Sequence, residues 1–520
     1  MPLLKKTLIA ASFLLIILGG LSLRLQNADT RQMHVDESVQ AYQTWKLEET
    51  GEYKYDPVDK HGPTLYYLSS WFSPFLTEDG VFTGPSLRRF SIFFSLLSLV
   101  LIIVWNRHLG VGGSLIAGAL IAFAPLQIIY GAYYVQEASF AFLSLAFSWA
   151  AWKASQSGGA ASWIILGLLA GLMFSTKETS LIHFAALFPL VVFGMWRNRK
   201  AAGASFWAAG LISLTSFLAV SILFFSTFFA DFSGVSDAFG ALFGYVDRAG
   251  GQGHEKASAY YLQIFLPHTS EGVYWSELIV LLLSLTSFVH WLTQLSSPRS
   301  TVPLARDVIS IPLPVFIGLS GIVMFLIYTA IPYKTPWLML TPQLFIFIGT
   351  GFSISCGIRK LYQKLPNTPK MLSFVLIILG LTVAKQSYGQ VQNACLRYHS
   401  DARNPYIYEH TNNPFARLLN RLEDMDTLIG NSTSIAVFSP DNAWPLPWYL
   451  KERDRVAYQI DLSQLGKYDL EIVDSRLADG IPASYYDQSI SEIHGLRPNT
   501  HLFLQIKTEL WDEYMALKSK

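Results

Sequence analysis

Only two cysteines, Cys356 and Cys395, occur in 520 residues, which excludes a disulfide scaffold and a cysteine-based metal site. Charge is scarce as well. Asp, Glu, Lys and Arg make up 14% of the chain, against roughly 25% in an ordinary soluble domain. Neither sign dominates, and a net charge of +1 gives no basic field, which argues against a nucleic-acid partner. There is no glycine-rich phosphate loop, no His-Glu-x-x-His and no Gly-x-Ser-x-Gly. Nucleotide hydrolysis, zinc hydrolysis and α/β-hydrolase chemistry therefore have no support. What the chain has in quantity is apolar surface: 51% of residues are hydrophobic, and the mean hydropathy is +0.33.

The few charges are unevenly placed, with 31 in the last 134 positions and 44 in the first 386. This predicts a bilayer-embedded body over residues 1–386 and a soluble unit over 387–520. About 20 apolar residues cross roughly 30 Å of hydrocarbon. On that measure eleven runs qualify, near 7–25, 89–106, 112–130, 138–153, 161–175, 179–196, 204–229, 276–295, 311–331, 336–355 and 371–386. Lys5 and Lys6 precede the first, but Gly19-Gly20-Leu21-Ser22-Leu23-Arg24 is a poor cleavage site, so an uncleaved anchor is expected. With the N-terminus inside, cytoplasmic segments collect the Lys and Arg residues from Lys5 to Lys370, and the short outer loops carry only Lys177 and Lys334. An odd number of spans puts the tail outside, with the long loops 26–88 and 230–275. The acids of the body gather on that side: Asp36, Glu37, Asp56, Asp59, Glu137, Glu178, Asp247 and Glu255. Simple solvation of outer loops explains such a gathering as well as a site does.

In the tail, a helix is expected near Pro414–Met425, strands near Ile435–Phe438, Leu470–Val473 and His501–Ile506, and a closing helix. The whole reads as a small α/β unit. Asn431-Ser432-Thr433 fits a glycosylation acceptor and agrees with an outer location.

The first outer loop is the richest stretch. Val39, Tyr42 and Trp45 repeat every three residues, which suits a helix lying in the membrane interface, and Gly51 would end it. Asp36 and Glu37 then stand where the first span leaves the bilayer. Partial desolvation there would make a carboxylate a better base; the bland alternative is that Asp36 caps the helix. Lys60 and His61 precede a Gly-Pro break and could face an anion. Glu137 follows Tyr133-Tyr134-Val135-Gln136, while Lys177-Glu178 and Lys334 occupy two further outer loops. Singly, these are ordinary solvated pairs or interfacial anchors. Jointly they can grip a phosphate with cations while a carboxylate takes a proton.

The run His34-x-Asp36-Glu37, then Gly51-Glu-Tyr53-Lys-Tyr55-Asp56-Pro57 and His61-Gly62-Pro63, resembles the first loop of GT-C membrane glycosyltransferases. More narrowly it is similar to the flippase-activity-associated family of lipid-linked glycosylation. Further matches are Ala124-Pro125, Tyr130, Gln136-Glu137, Thr176-Lys177-Glu178, Tyr333-Lys334-Thr335-Pro336-Trp337, Asn404-Pro405-Tyr406 and His410-Thr411. The resemblance implies a polytopic α-helical fold of about eleven spans with a small outer α/β domain. It implies transfer of a sugar from a polyprenyl-phosphate donor to a glycan, lipid or protein acceptor. By this likeness Asp36 is the base, Glu37 supports it and Glu137 is a second acid. Relatives often carry Ser-Arg before that acid; here stand Gly131-Ala132, so phosphate binding would fall to Lys60, His61, Lys177, Lys334 or Arg248, with Glu178 beside them. Some members use a divalent cation, Mg or Mn, and others do not; Glu137 or Glu178 would hold one or orient the base, and no metal is assigned. The competing class is a transporter of lipid-linked sugars, which would place ionisable groups at the bilayer midplane and show internal repeats.

Overall fold

The computed structural model describes residues 2–58, 61–157, 159–197, 206–250, 254–296, 311–430 and 433–519. Among these, six helices are long and apolar enough to cross a membrane: Leu3–Thr30, Gly84–Val104, Trp207–Phe225, Leu313–Ala330, Pro336–Lys364 and Pro369–Arg397. Ala160–Phe174, Ser180–Trp196 and Leu278–Thr293 are shorter apolar helices beside them. Large apolar side chains such as Leu211, Phe374 and Leu381 point outward and are exposed, as a surface that meets hydrocarbon requires. The protein is an integral membrane protein.

Small residues set the tightest helix contacts. A Cβ on Gly167 would lie 2.2 Å from the Ser213 carbonyl oxygen, so only glycine lets the helices Ala160–Phe174 and Phe206–Phe225 approach this closely. The apolar run expected over 112–130 is not one helix. It stops at Phe123, and a second short helix, Pro125–Tyr130, begins after Ala124. Pro125 is the cause, because the residue before a proline is driven out of helical conformation; Ala124 has ψ 132°. After that short helix, residues 131–136 run as an irregular segment that faces the first loop.

The first loop holds the helix Val35–Thr50, closed by Gly51 in the left-handed conformation. In the loop before Leu278, β1 (His268–Ser270) and β2 (Val273–Trp275) form an antiparallel hairpin. The C-terminal part carries β3 (Ile435–Phe438), β4 (Val456–Gln459), β5 (Leu470–Asp474), β6 (Ser489–Arg497) and β7 (Thr500–Lys507). They make one sheet in the order β4-β3-β5-β7-β6. β3 runs parallel to β4 and β5, whereas β7 is antiparallel to both its neighbours. One face, through Leu470, Ile472, Leu502, Leu504 and Ile506, packs on the helices Phe415–Ile429 and Thr508–Lys518. In the first of these, Phe415, Leu418, Leu422 and Met425 are buried at helical spacing. Asn431 and Ser432 of the acceptor pattern lie outside the described residues.

The sheet rests on the first loop. The Tyr449 hydroxyl donates to Gln32 Oε1 and accepts from the Met33 amide, each at 3.0 Å. The Trp444 ring meets Tyr42 edge-on at 5.8 Å.

Candidate active site

The site is built from the start of the helix Val35–Thr50. His34 is its cap: the ring Nδ1 accepts from the Asp36 amide at 3.0 Å, and Glu37 accepts from the His34 amide at 3.0 Å. This is a reciprocal capping box. Asp36 is thereby relieved of the capping role open to it, and its carboxylate stands 48% exposed, 3.9 Å from His34 Nδ1.

Glu37 follows about 100° further round the helix and is fully buried. Arg31 binds it with both terminal nitrogens, and Arg88 donates from Nε at 2.9 Å and Nη2 at 2.8 Å. The Tyr134 amide adds a further bond of 2.9 Å. Burial would raise this carboxyl, but Arg31 and Arg88 outweigh it and hold Glu37 well below the usual carboxylate range. Such a group does not accept a proton from an acceptor. The supporting catalytic role expected of Glu37 is therefore corrected to that of a structural hub. The arginines are tied down in turn: Arg31 donates to the Ala132 carbonyl at 3.0 Å and stacks 3.6 Å over the Tyr133 ring. Arg88 donates to the carbonyls of Ala28, Arg31 and Gln32. Gly131-Ala132 lacks an arginine in sequence, and Arg31 supplies one in space.

A second group lies across the irregular segment. Gln136 Nε2 donates to Gln40 Oε1 at 3.0 Å, linking it to the first-loop helix. Glu137 and Lys177, 6% and 4% exposed, form an ion pair. His61 Nδ1 and Glu178 Oε2 are 2.9 Å apart. Close backbone approach makes this contact possible: Thr64 bonds the Ser175 carbonyl through both its amide and its hydroxyl. A Cβ at Gly62 would fall 2.1 Å from that same oxygen. Lys177 is thus occupied by an acid and is not a free phosphate ligand, which corrects that expectation.

Lys334 is likewise corrected. It is 1% exposed, and its ammonium donates to the backbone carbonyls of Ile331 and Lys256. Around it the chain assembles a ring cluster that the sequence reading missed. Trp337 lies 5.8 Å from His34 and 6.4 Å from Tyr408. His34 Nε2 meets the Tyr408 carbonyl at 2.9 Å, His254 Nδ1 meets the Tyr408 hydroxyl at 3.0 Å, and Lys256 Nζ sits 4.7 Å over the Tyr408 ring. Burial, Glu409 and Asp36 together raise the Tyr408 phenol, so Asp36 faces this cluster. Lys60 lies outside the described residues, as does the side chain of Arg248, whose backbone belongs to the helix Ser233–Ala249.

The structure therefore joins Asp36 with His34, joins His34 with Tyr408 and its overlying Lys256, joins Glu137 with Lys177, and joins His61 with Glu178. Arginines buried in or beside apolar helices were the available signal for Arg31 and Arg88, since such groups are retained only with partners. Nothing local in the sequence marks Lys256 or Tyr408. Among the described residues no group of three or more His, Cys, Asp or Glu side chains is arranged to hold a metal. Glu137 and Glu178, the acids expected to hold one, are engaged by Lys177 and His61.

No family model and no curated protein matches the chain. Solved structures do. ArnT from Cupriavidus metallidurans, bound to undecaprenyl phosphate, is similar over 96% of this chain and 98% of its own, with TM-score 0.61 and 14% identity. Its apo state gives TM-score 0.60 over the same shares. The Archaeoglobus fulgidus oligosaccharyltransferase, in complex with Zn and sulfate, is similar over 96% of this chain and 76% of its own, with TM-score 0.51 and 13% identity. At such identities the likeness is one of fold, shared with ArnT and with the oligosaccharyltransferase.

Proposed function

We propose that the chain is an inverting glycosyltransferase that moves a sugar from a polyprenyl-phosphate donor to an acceptor hydroxyl on the outer side of the membrane. One observation carries the reading. In a single helical turn a buried, doubly paired Glu37 fixes the backbone, while its neighbour Asp36 presents an open carboxylate beside His34, whose ring meets the carbonyl of Tyr408, the tyrosine that the half-buried Lys256 overlies. A base on a rigid support, with a cation in the same cluster of rings, is what this transfer needs. The fold is shared with a protein solved with undecaprenyl phosphate, which supports a lipid-linked donor here.

On this reading the eleven apolar runs are spans, the N-terminus is cytoplasmic and the C-terminal sheet lies outside. The donor keeps its tail in hydrocarbon and offers its phosphate at the rim, to Lys256 in place of Lys177 and Lys334. Asp36 accepts the proton of the acceptor hydroxyl. The freed oxygen bonds to the anomeric carbon on the face opposite the phosphate, and the carbon–oxygen bond to phosphate breaks. Polyprenyl phosphate leaves and the configuration inverts. General-base help is worth about 10²–10⁴-fold, and cationic stabilisation of the departing phosphate contributes further.

The test uses purified protein in detergent, polyprenyl-phosphate hexoses and pentoses, and glycan, lipid and peptide acceptors. Release of polyprenyl phosphate that disappears in Asp36→Asn is expected. It should persist in EDTA and gain nothing from added Mg²⁺ or Mn²⁺, because Glu137 is paired with Lys177 and Glu178 is hydrogen-bonded to His61. Undiminished release in Asp36→Asn rejects the base. Movement of an intact lipid-linked sugar across a proteoliposome bilayer, with no phosphate released, replaces the enzyme by a transporter.

A further inference from the structure

The sheet face turned away from the two packing helices changes character along its length. At one end Ala436, Phe438, Val473 and Phe503 form an apolar patch. At the other, toward the start of β5, the cross-strand neighbours Glu471, Gln505 and Ser491 form a polar row. That row floors a cavity of about 520 Å³ walled by Tyr468, Tyr485, Asp487 and Lys507. Glu471 and Gln505 are 2% and 1% exposed. Sheet positions this deeply buried are normally apolar, as Phe503 is two residues along the same strand, since burying polar groups costs stability unless they are bonded.

The bonding is incomplete in one place. Glu471 is satisfied by the amides of Gly466 at 3.0 Å and Tyr468 at 3.2 Å and by the Tyr485 hydroxyl. Gln505 Oε1 accepts from the hydroxyls of Ser489, at 3.0 Å, and Ser491. Its Nε2 is buried with no partner. Turning the amide over only moves the orphan from nitrogen to oxygen, because both serine hydroxyls can donate or accept. A leucine here would fill the space without that cost, so the unmet group points to a guest that completes it.

We propose that this cavity binds a saccharide, neutral or amino-substituted, apart from the site of transfer. Its lining combines hydroxyl, amide and carboxylate groups with tyrosines, whose rings offer an apolar face and a polar tip. Four carboxylates, Asp469, Glu471, Asp487 and Glu509, face one ammonium, Lys507. Such a wall repels phosphate, sulfate and uronate groups and suits hydroxyls or a protonated amine. The volume lies within the ~300–1,000 Å³ of small-molecule sites. The position separates it from the reacting groups. The chain reaches the first loop from the C-terminal end of β3, through Tyr449, whereas the cavity opens at the N-terminal end of the parallel neighbour β5. A sugar held here belongs to a part of a glycan away from the acceptor hydroxyl.

The experiment measures binding and needs no turnover, so it stands whether or not the transfer reaction does. Full-length protein in detergent is titrated, by saturation-transfer NMR and calorimetry, with glucose, mannose, glucosamine, N-acetylglucosamine and their disaccharides, and with glucose 6-phosphate as the anionic probe. At least one neutral or amino sugar should bind, and glucose 6-phosphate should not. Gln505→Leu should weaken that binding about five- to tenfold while leaving the melting temperature unchanged or higher. Asp487→Ala, on the exposed rim, should weaken it as well and serves if Gln505→Leu fails to fold. Silence across the whole panel, preference for the phosphorylated sugar, or full binding in the variants overturns the proposal.

Discussion

Two neighbouring regions of the candidate site answer the same demand in opposite ways. Around Glu37 both carboxylate oxygens are fully engaged: two arginines and two backbone amides leave no lone pair for a visitor, and Tyr133 stacks on Arg31. Around Asp36 the carboxylate is half exposed beside His34, whose ring packs near Trp337 and meets the carbonyl of Tyr408, over whose ring Lys256 is held. The two acids are adjacent in sequence and differ only in the direction they leave the helix. A closed knot gives rigidity and an open mouth gives chemistry, and the first makes the second accurate.

The largest expected effect separates the two most cleanly. Asp36→Asn should lower turnover about 10²–10⁴-fold with little change in the melting temperature, read by product release and thermal shift on the same sample. Glu37→Gln should do the reverse and act first on stability, by about 3–5 kcal/mol, because it leaves two buried guanidinium groups facing a neutral amide. A Glu37→Gln protein as stable as the parent would mean that the knot is not what holds the loop.

How far these residues could be read from sequence follows the same division. The Val35–Thr50 helix and its Gly51 stop were legible because Val39, Tyr42 and Trp45 keep period and glycine ends it. The strands Ile435–Phe438 and Leu470–Asp474 were legible as short apolar runs, every residue of which is buried. β4 and β6 were not. β4 is four residues at a sheet edge, and β6 turns Ile490 and Ile493 outward, so its apolar residues misreport the core. In the site, the sequence set His34, Asp36 and Glu37 together with Asp36 as the base, but it did not show that Glu37 is the acid held closed. That choice depends on Arg31 and Arg88, six and 51 residues away. Lys177 and Lys334 read as free cations because their partners, Glu137 and the carbonyls of Lys256 and Ile331, come from distant segments or the backbone.

The Glu137–Lys177 pair tests whether closure extends beyond the knot. Lys177→Met alone should destabilise by about 3 kcal/mol, since it strands a buried carboxylate. The double variant Glu137→Gln, Lys177→Met should recover most of that loss, and a thermodynamic cycle on melting data reads the coupling. Additive losses would show two residues that act independently.

The smallest effect concerns acid, and it should reach the mouth before the knot. His410 is 5% exposed, and burial with nearby His34 pulls its imidazole down to about 4, against the pull of Asp401. Unfolded, a histidine titrates near 6.5. Protons therefore bind the unfolded chain first, so stability from this residue is complete above pH ~6.5 and drains as pH falls toward 4, by about 1–3 kcal/mol. Glu37 has the opposite sign. Its folded carboxyl lies well below the usual range, so its contribution is whole above the unfolded value of ~4.3 and is lost only below it. Between pH 6.5 and 4.5 Glu37 therefore contributes no loss, and His410 contributes alongside other histidines held low by burial, such as His494. Melting curves across that window should slope downward in the parent and less steeply in His410→Gln, while Glu37→Gln should shift the whole curve without changing its slope. An unchanged slope in His410→Gln would move the acid sensitivity away from the mouth, and with it the idea that the open region is the softer of the two.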